Sequence, residues 1–282
     1  MLRVLKKYVL FFFILLILMY FFLFQEKREL PASGSRLDLG GVAAEILFFD
    51  VNKAVKRGSK RIIVVRFLEN VEFRPYHFEE SGLGSPKTIE EWAEHLDSPV
   101  VINAGQFDEY FKHIGWLKRQ QHFISRHLAP AWKALLVSGP KGTKILDLER
   151  KAQQEHNRFP HALQSMMLID EHGTLRVRDT DLNACRSVLA EDKEGRILLI
   201  VTEGAITLGD LGRWLASSPL AIKYAMNLDG GIESQLALRA DGLKIVLYGQ
   251  YGTGTTVFSG TPGKIRYPLP AVLAMIPLRQ EN

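Results

Sequence analysis

The chain has 282 residues, 46% of them hydrophobic and 24% charged, an ordinary globular balance with room for one large domain or two small ones. Its net charge of +5 is no nucleic-acid signature: residues 1–24 carry three basic and no acidic groups, leaving 33 basic against 31 acidic elsewhere, too even for a phosphate-binding stripe. The single cysteine, Cys185, excludes an intramolecular disulfide and a thiolate cluster, so the fold must rest on its core.

Residues 8–24, YVLFFFILLILMYFFLF, are seventeen apolar residues without a charge, close to the lower limit for a helix that crosses a bilayer. Arg3, Lys6 and Lys7 precede the run, which suits a short cytoplasmic tail over 1–7. QEKRE follows, with no small-x-small cleavage site beside the apolar stretch. The pattern predicts an uncleaved signal anchor rather than a removed leader. The expected protein is therefore a single-pass inner (cytoplasmic) membrane protein, with its C-terminal domain in the periplasm or outside the cell. Residues 25–39, containing PASGS at 31–35, read as a linker to a domain over 40–282.

EILFFDV (45–51) and RIIVVRF (61–67) are strand-type runs. KTIEEWAEHL (87–96) predicts a helix: Thr88 and Glu91 form a capping box, and Ile89, Trp92, Ala93 and Leu96 recur at helical spacing. A short strand over 99–102 runs into Asn103-Ala104-Gly105. Residues 108–130, rich in aromatics, histidine and lysine and without periodicity, predict a loop-rich excursion. WKALLV (132–137) reads as a strand followed by the turn SGPKG. Two hairpins are predicted, from 163–170 to 174–178 around EHG and from 184–190 to 196–202 around EDKEG. Thr207 and Asp210 cap a helix over about 208–217. The strand-turn-strand YAMNLDGGIESQLAL (224–238) follows, then LKIVLY (243–248), the Gly/Thr-rich loop YGTGTTVFSGTPG (251–263) and a last strand, AVLAMIPL. This is an α+β fold: a mixed, mostly antiparallel sheet core with a few flanking helices, preceded by one transmembrane helix.

Three segments share a grammar in which an apolar strand ends in a polar side chain and then glycine: VVINAG (100–105), LLIVTEG (198–204) and AMNLDGG (225–231). A strand end holds the polar group at fixed depth, and glycine allows a sharp exit and close backbone approach to a ligand. The three predict one shared pocket carrying Asn103, Glu203, Asn227 and Asp229; ordinary turn chemistry is the plainer reading of each alone. His113, His122, His127, His156 and His161 include no i, i+4 pair, so no histidine metal site is expected. Calcium or magnesium on Asp229 and nearby carbonyls stays open, since oxygen ligands leave no spacing rule. No cofactor motif is present: neither a Walker loop nor a GxSxG elbow.

Taken in order, the motifs resemble the phosphodiester glycosidase family. They are NAGQF at 103–107, Leu163-Gln164-Ser165, Arg186 opening a strand, Gly204 after the next strand, Thr207-Leu208-x-x-Leu211 at a helix start, NLDGG at 227–231 and Pro270 before the last strand. The likeness covers about residues 40–278. Three departures stand out. Ile232-Glu233 follows NLDGG where the family has a small residue and then Ser/Thr. Glu203-Gly204 replaces a more frequent Asp-Gly, and Met166-Met167 replaces Gly-Pro.

The resemblance implies a hydrolase that breaks the anomeric C–O bond of a sugar-1-phosphodiester, in an envelope or extracellular glycopolymer. Phosphate leaves as an anion, so the demand is for a cation on the phosphate and a carboxylate for water or for charge at carbon. Arg186 matches the clamp, through a bidentate guanidinium fork, and Asp229 matches the carboxylate, with Gly230-Gly231 leaving space and N–H donors beside it. Glu203 is the second catalytic candidate. Asn103, Gly105, Gln164, Asn227, Gly230, Gly231 and Glu233 are candidates for substrate binding. Each has a plainer alternative: an ion pair for Arg186, an Asx turn for Asp229, a helix cap for Glu203, satisfied backbone for the amides. Expected partners are a glycan or sugar-phosphate substrate and, through residues 8–24, the membrane, with no nucleic acid. The competing function is a catalytically inactive carbohydrate-binding or polysaccharide assembly protein of the same fold, which the change at Glu233 favours.

Overall fold

Apolar and β-branched runs dominate the chain, and they pair into two antiparallel sheets. The computed structural model describes residues 30–150, 157–240, 242–253 and 265–277. The predicted anchor at 8–24 lies outside the described residues, among which no helix is long and apolar enough to cross a membrane.

The larger sheet contains β1 (Ser35–Asp38), β2 (Ala43–Asp50), β3 (Arg61–Phe67), β12 (Ile197–Thr202), β11 (Ser187–Asp192), β13 (Ile222–Asn227), β10 (His161–Ile169), β6 (Leu117–Arg119) and β7 (His122–Ser125), in that spatial order. A hairpin of β8 (Ala134–Gly139) and β9 (Gly142–Asp147) joins it along β10. The smaller sheet runs β15 (Leu243–Tyr248), β14 (Gln235–Ala240), β5 (Val100–Asn103), β16 (Ala271–Ile276), β4 (Glu72–His77). Among the described residues the helices are α1 (Ile89–His95) and α2 (Leu208–Ser217), so the fold is α+β with the sheets dominant.

Both helices begin where their caps place them. Thr88 and Glu91 complete a reciprocal capping box, and the Asp210 N–H donates to Thr207 Oγ1 at 3.0 Å. Helix α1 buries Ile89, Trp92 and Ala93 against Val101, Ala237, Val272 and Ala274 of the smaller sheet, and the Trp92 indole N–H donates to the Leu269 carbonyl at 2.9 Å. Helix α2 sets Leu211 and Leu215 onto Val188, Ile200 and Ala225 of the larger one. Burying each of those leucines contributes about 1.5–3 kcal/mol.

The structure departs from expectation in several places. Residues 35–38, read as linker, are strand β1 against β2. Strand β4 was not among the expected strands; it contains Pro75 and lies at the edge of its sheet, where proline is tolerated. The 108–130 excursion contains the hairpin β6–β7. Residues 174–178 form no second strand of a hairpin: a single bridge joins Ile169 to Leu175, while the Arg176 guanidinium reaches Asp147, Glu149 and Asp170.

One feature of this topology positions the site. Strand β13 belongs to the larger sheet and β14 to the smaller, so residues 228–234 carry the chain from one to the other. The end of β5 meets that crossover, with the Asp229 N–H donating to the Ala104 carbonyl at 3.2 Å.

Candidate active site

The crossover from β13 to β14 explains the Asp-Gly-Gly sequence. Gly230 passes so close to the start of β11 that a Cβ there would come within 3.0 Å of the Cys185 carbonyl and 3.1 Å of Arg186 Nη1. Gly231 has φ +80°, a left-handed conformation that L side chains rarely adopt. Its N–H donates to the Cys185 carbonyl at 2.8 Å, and the Gly230 N–H donates to Asp229 Oδ1 at 2.9 Å. Both amide donors are therefore engaged. The glycines contribute clearance, not the free N–H nest that the sequence suggested.

A cavity of about 480 Å³ opens beside this turn. Its walls are Asp229 to Glu233, Arg186, the loop residues Gln106, Phe107 and Ile114, and Gly252, Thr253 and Tyr267 from the segment between β15 and β16. Arg186 is buried, with its Nε donating to the Ile206 carbonyl at 3.1 Å and Nη2 to the Leu182 carbonyl at 2.7 Å. The expected bidentate fork is thus turned into the fold, and Nη1 is the arm left toward Gly230 and the cavity. Burial lowers the guanidinium to about 10, against the opposing influence of Cys185 and the Asp229 carboxylate, so it remains positive at neutral pH. Burial raises Asp229 to about 7, and the charge of Glu233 adds to the rise, while the Gly230 N–H and Arg186 oppose it. Burial also pushes Glu233 up.

The other predicted residues separate from this group. Glu203 does not line the cavity: its carboxylate accepts from Arg61 Nε and Nη2, each at 2.9 Å, and from Ser59 Oγ at 2.7 Å. The arginine on β3 lies alongside the end of β12 and captures the acid. Glu203→Gln is accordingly expected to leave kcat/KM within about threefold of wild type and to cost at most about 1 kcal/mol in chemical denaturation, as for a partly exposed pair. Gly204 has no room for any side chain, since a Cβ would meet the Ser59 carbonyl at 2.2 Å.

Asn103 ties the crossover to the smaller sheet. Its Nδ2 donates to the Asp229 carbonyl at 2.9 Å, and its Oδ1 accepts from the Gln235 N–H at 3.1 Å, fixing the crossover at both ends. Gln164 is likewise structural. Its Oε1 accepts from the Trp116 and Ala129 N–H groups, each at 3.1 Å, and its Nε2 donates to the Ala129 and Trp132 carbonyls at 2.8 and 2.7 Å. Gln164→Ala would leave those backbone groups unpaired, and an unfolding free energy lower by about 3 kcal/mol or more is expected in a urea titration. Asn227 donates Nδ2 to the Leu228 carbonyl, and its buried Oδ1 has no hydrogen-bond partner among the described residues. Gly105 makes room for His113, whose Cε1 would stand 2.7 Å from a Cβ there. Burial lowers that imidazole to about 3, so it is neutral.

Phe107, Ile114 and Tyr267 were not singled out as site residues. Phe107 closes the quoted NAGQF motif, but Tyr267 carries no local signal and reaches the cavity only because residues 265–267 return beside it. Part of the Gly/Thr-rich loop, residues 254–264, lies outside the described residues. Met166 and Met167, the departures on β10, line another cavity of about 480 Å³ with Trp132, Lys133 and Arg178. Among the described residues no group of three or more His, Cys, Asp or Glu side chains is arranged to hold a metal ion.

Among solved structures, the chain is similar to the catalytic domain of zebrafish N-acetylglucosamine-1-phosphodiester alpha-N-acetylglucosaminidase, auto-inhibited by its pro-peptide. The TM-score is 0.60 at 15% identity, covering 87% of this chain and 86% of that one. It is also similar to a hypothetical protein from Synechocystis, with a TM-score of 0.57 at 15% identity over 83% of this chain and 62% of that protein's length. At such identity these likenesses establish the fold. No curated protein sequence matches the chain. The family model for phosphodiester glycosidases matches residues 98–261, more than half of the chain and the whole stretch from the NAG motif through the crossover, and the chain therefore belongs to the phosphodiester glycosidase family.

Proposed function

We propose that the protein is a hydrolase that cleaves the bond between a sugar's anomeric carbon and a phosphodiester oxygen. The observation that carries this reading is that Arg186 and Asp229 line one cavity, whose volume of about 480 Å³ suits a sugar-sized ligand. Arg186 Nη1 holds the phosphate, and the two other arms of the guanidinium fix its position through the Ile206 and Leu182 carbonyls. As the anomeric C–O bond breaks, the phosphate departs with the electron pair and needs no proton. Asp229, ionised above about pH 7, takes the proton of the attacking water. Desolvation strengthens both interactions where charge develops.

The zebrafish enzyme's name supplies the first substrate to try, an N-acetylglucosamine 1-phosphodiester. The apolar run at 8–24 supports an anchored protein acting outside the cytoplasm on an envelope or extracellular glycopolymer. The full chain, purified in detergent, should release free sugar from at least one member of a panel of methyl diesters of hexose and N-acetylhexosamine 1-phosphates. No turnover on any member, with glycan binding retained, would instead point to the non-catalytic binding protein.

A further inference from the structure

The reaction proposed above, on which this inference rests, needs one cation and one carboxylate. The cavity holds one carboxyl group more. Glu233 ends the short 3-10 helix Gly231–Glu233 and shares the cavity with Asp229. Gly231 leaves the space it occupies, since a Cβ there would come within 3.1 Å of Glu233 Oε2.

Among the described residues, the titratable groups facing the cavity are Arg186, Asp229, Glu233 and Tyr267. Tyr267 is neutral, its phenol pushed further up by burial and by both acids. One guanidinium facing two ionised carboxylates leaves an excess negative charge in a desolvated space. Such a pair keeps one proton over the range where each acid alone would have lost it. Asp229 is raised first by burial and then by the charge of Glu233, as that arrangement requires, and Glu233 is raised by burial.

We propose that Glu233 and Asp229 act as an acid–base pair holding one proton between them, and that the cavity therefore also hydrolyses ordinary O-glycosides, whose alcohol leaving group departs only when protonated. The bond from the anomeric carbon to the glycosidic oxygen breaks, and that oxygen keeps the electron pair and takes the proton from the protonated carboxyl. The ionised carboxyl takes a proton from water, whose oxygen bonds to the anomeric carbon. One water is consumed, and the pair again holds one proton.

The test compares three substrates of one sugar: the methyl phosphodiester, the methyl glycoside and the 4-nitrophenyl glycoside, whose leaving group needs no proton. Wild-type full-length protein should hydrolyse all three. Glu233→Gln should lower the ratio of methyl-glycoside to diester kcat/KM by more than about 100-fold, with a smaller loss on the 4-nitrophenyl glycoside. Glu233→Ser, which removes the carboxyl and leaves a small polar side chain, should show the same ratio, and a thermal scan of each variant checks folding. Wild type that cleaves the diester but no methyl glycoside overturns the proposal and leaves the phosphodiester reading standing. A ratio unmoved in both variants also overturns it. Cleavage of glycosides alone upholds the acid–base pair and removes the phosphodiester reading; no cleavage of any substrate removes both.

Discussion

Asp229→Asn is expected to lower kcat/KM on a sugar-1-phosphodiester by more than about 100-fold, because asparagine cannot take a proton from water. The same change should alter stability in the opposite direction, and its pH dependence identifies the cause. Asp229 is raised to about 7 in the folded protein from 3.8 in the unfolded chain. Between those values the folded state holds a proton that the unfolded state has lost. Stability from this residue is therefore full below about pH 4 and declines as pH rises through about 7. The amide of asparagine is uncharged, so the variant should be more stable than wild type at pH 8, with the difference vanishing by pH 4. Chemical denaturation at the two pH values checks this. Activity runs the other way, and wild-type kcat/KM on the diester should rise through about pH 7. A variant that loses both activity and stability at pH 8 would show Asp229 to be the acceptor of an Asx turn rather than a reacting group. A gain in stability where function is lost is the pattern of a site held against its own folding preference.

Arg186→Ala should cost more than about 100-fold in kcat/KM on the diester and less than about tenfold on the neutral 4-nitrophenyl glycoside of the same sugar, since only the first brings an anion to Nη1. Arg186→Lys should resemble Arg186→Ala. A lysine presents one ammonium and cannot bridge the Ile206 and Leu182 carbonyls while reaching the cavity. Removing the guanidinium takes the donor from the Leu182 carbonyl, at a cost of about 1–3 kcal/mol, while the Ile206 carbonyl keeps the Ala184 N–H at 3.2 Å. It also removes a charge that lowers Asp229, so the acid limb of the pH profile for residual activity should move above its wild-type position. Equal losses on charged and neutral substrates would assign Arg186 to scaffolding.

These two residues differ in kind from Glu203 and Gln164, although all four stood out on similar grounds. Each is a polar side chain on or at the end of an apolar strand, in a motif shared with the family. Strand-end grammar finds polar groups at fixed depth but is blind to what arrives opposite them. Glu203 meets Arg61 from 142 positions away, and Gln164 meets backbone groups of the 116–132 segment. Asp229 meets a guanidinium arm and a second carboxyl across open space.

Much of the fold was legible because its signals are local. Strands 61–67 and 243–248 and the helix at 208–217 have the bounds that their apolar runs and the Thr207 cap imply, since a period or a cap needs only a few neighbouring residues. Strand β4 needed the sheet, because Pro75 is compatible with a strand only at an edge, and an edge exists only once β16 has paired. By itself, then, the amino-acid order determined both described helices, most of the long strands, the family and the Asp-Gly-Gly turn. Only the tertiary structure decided which acids stay free and which are captured, because a side chain's partner depends on the strand that folding lays beside it.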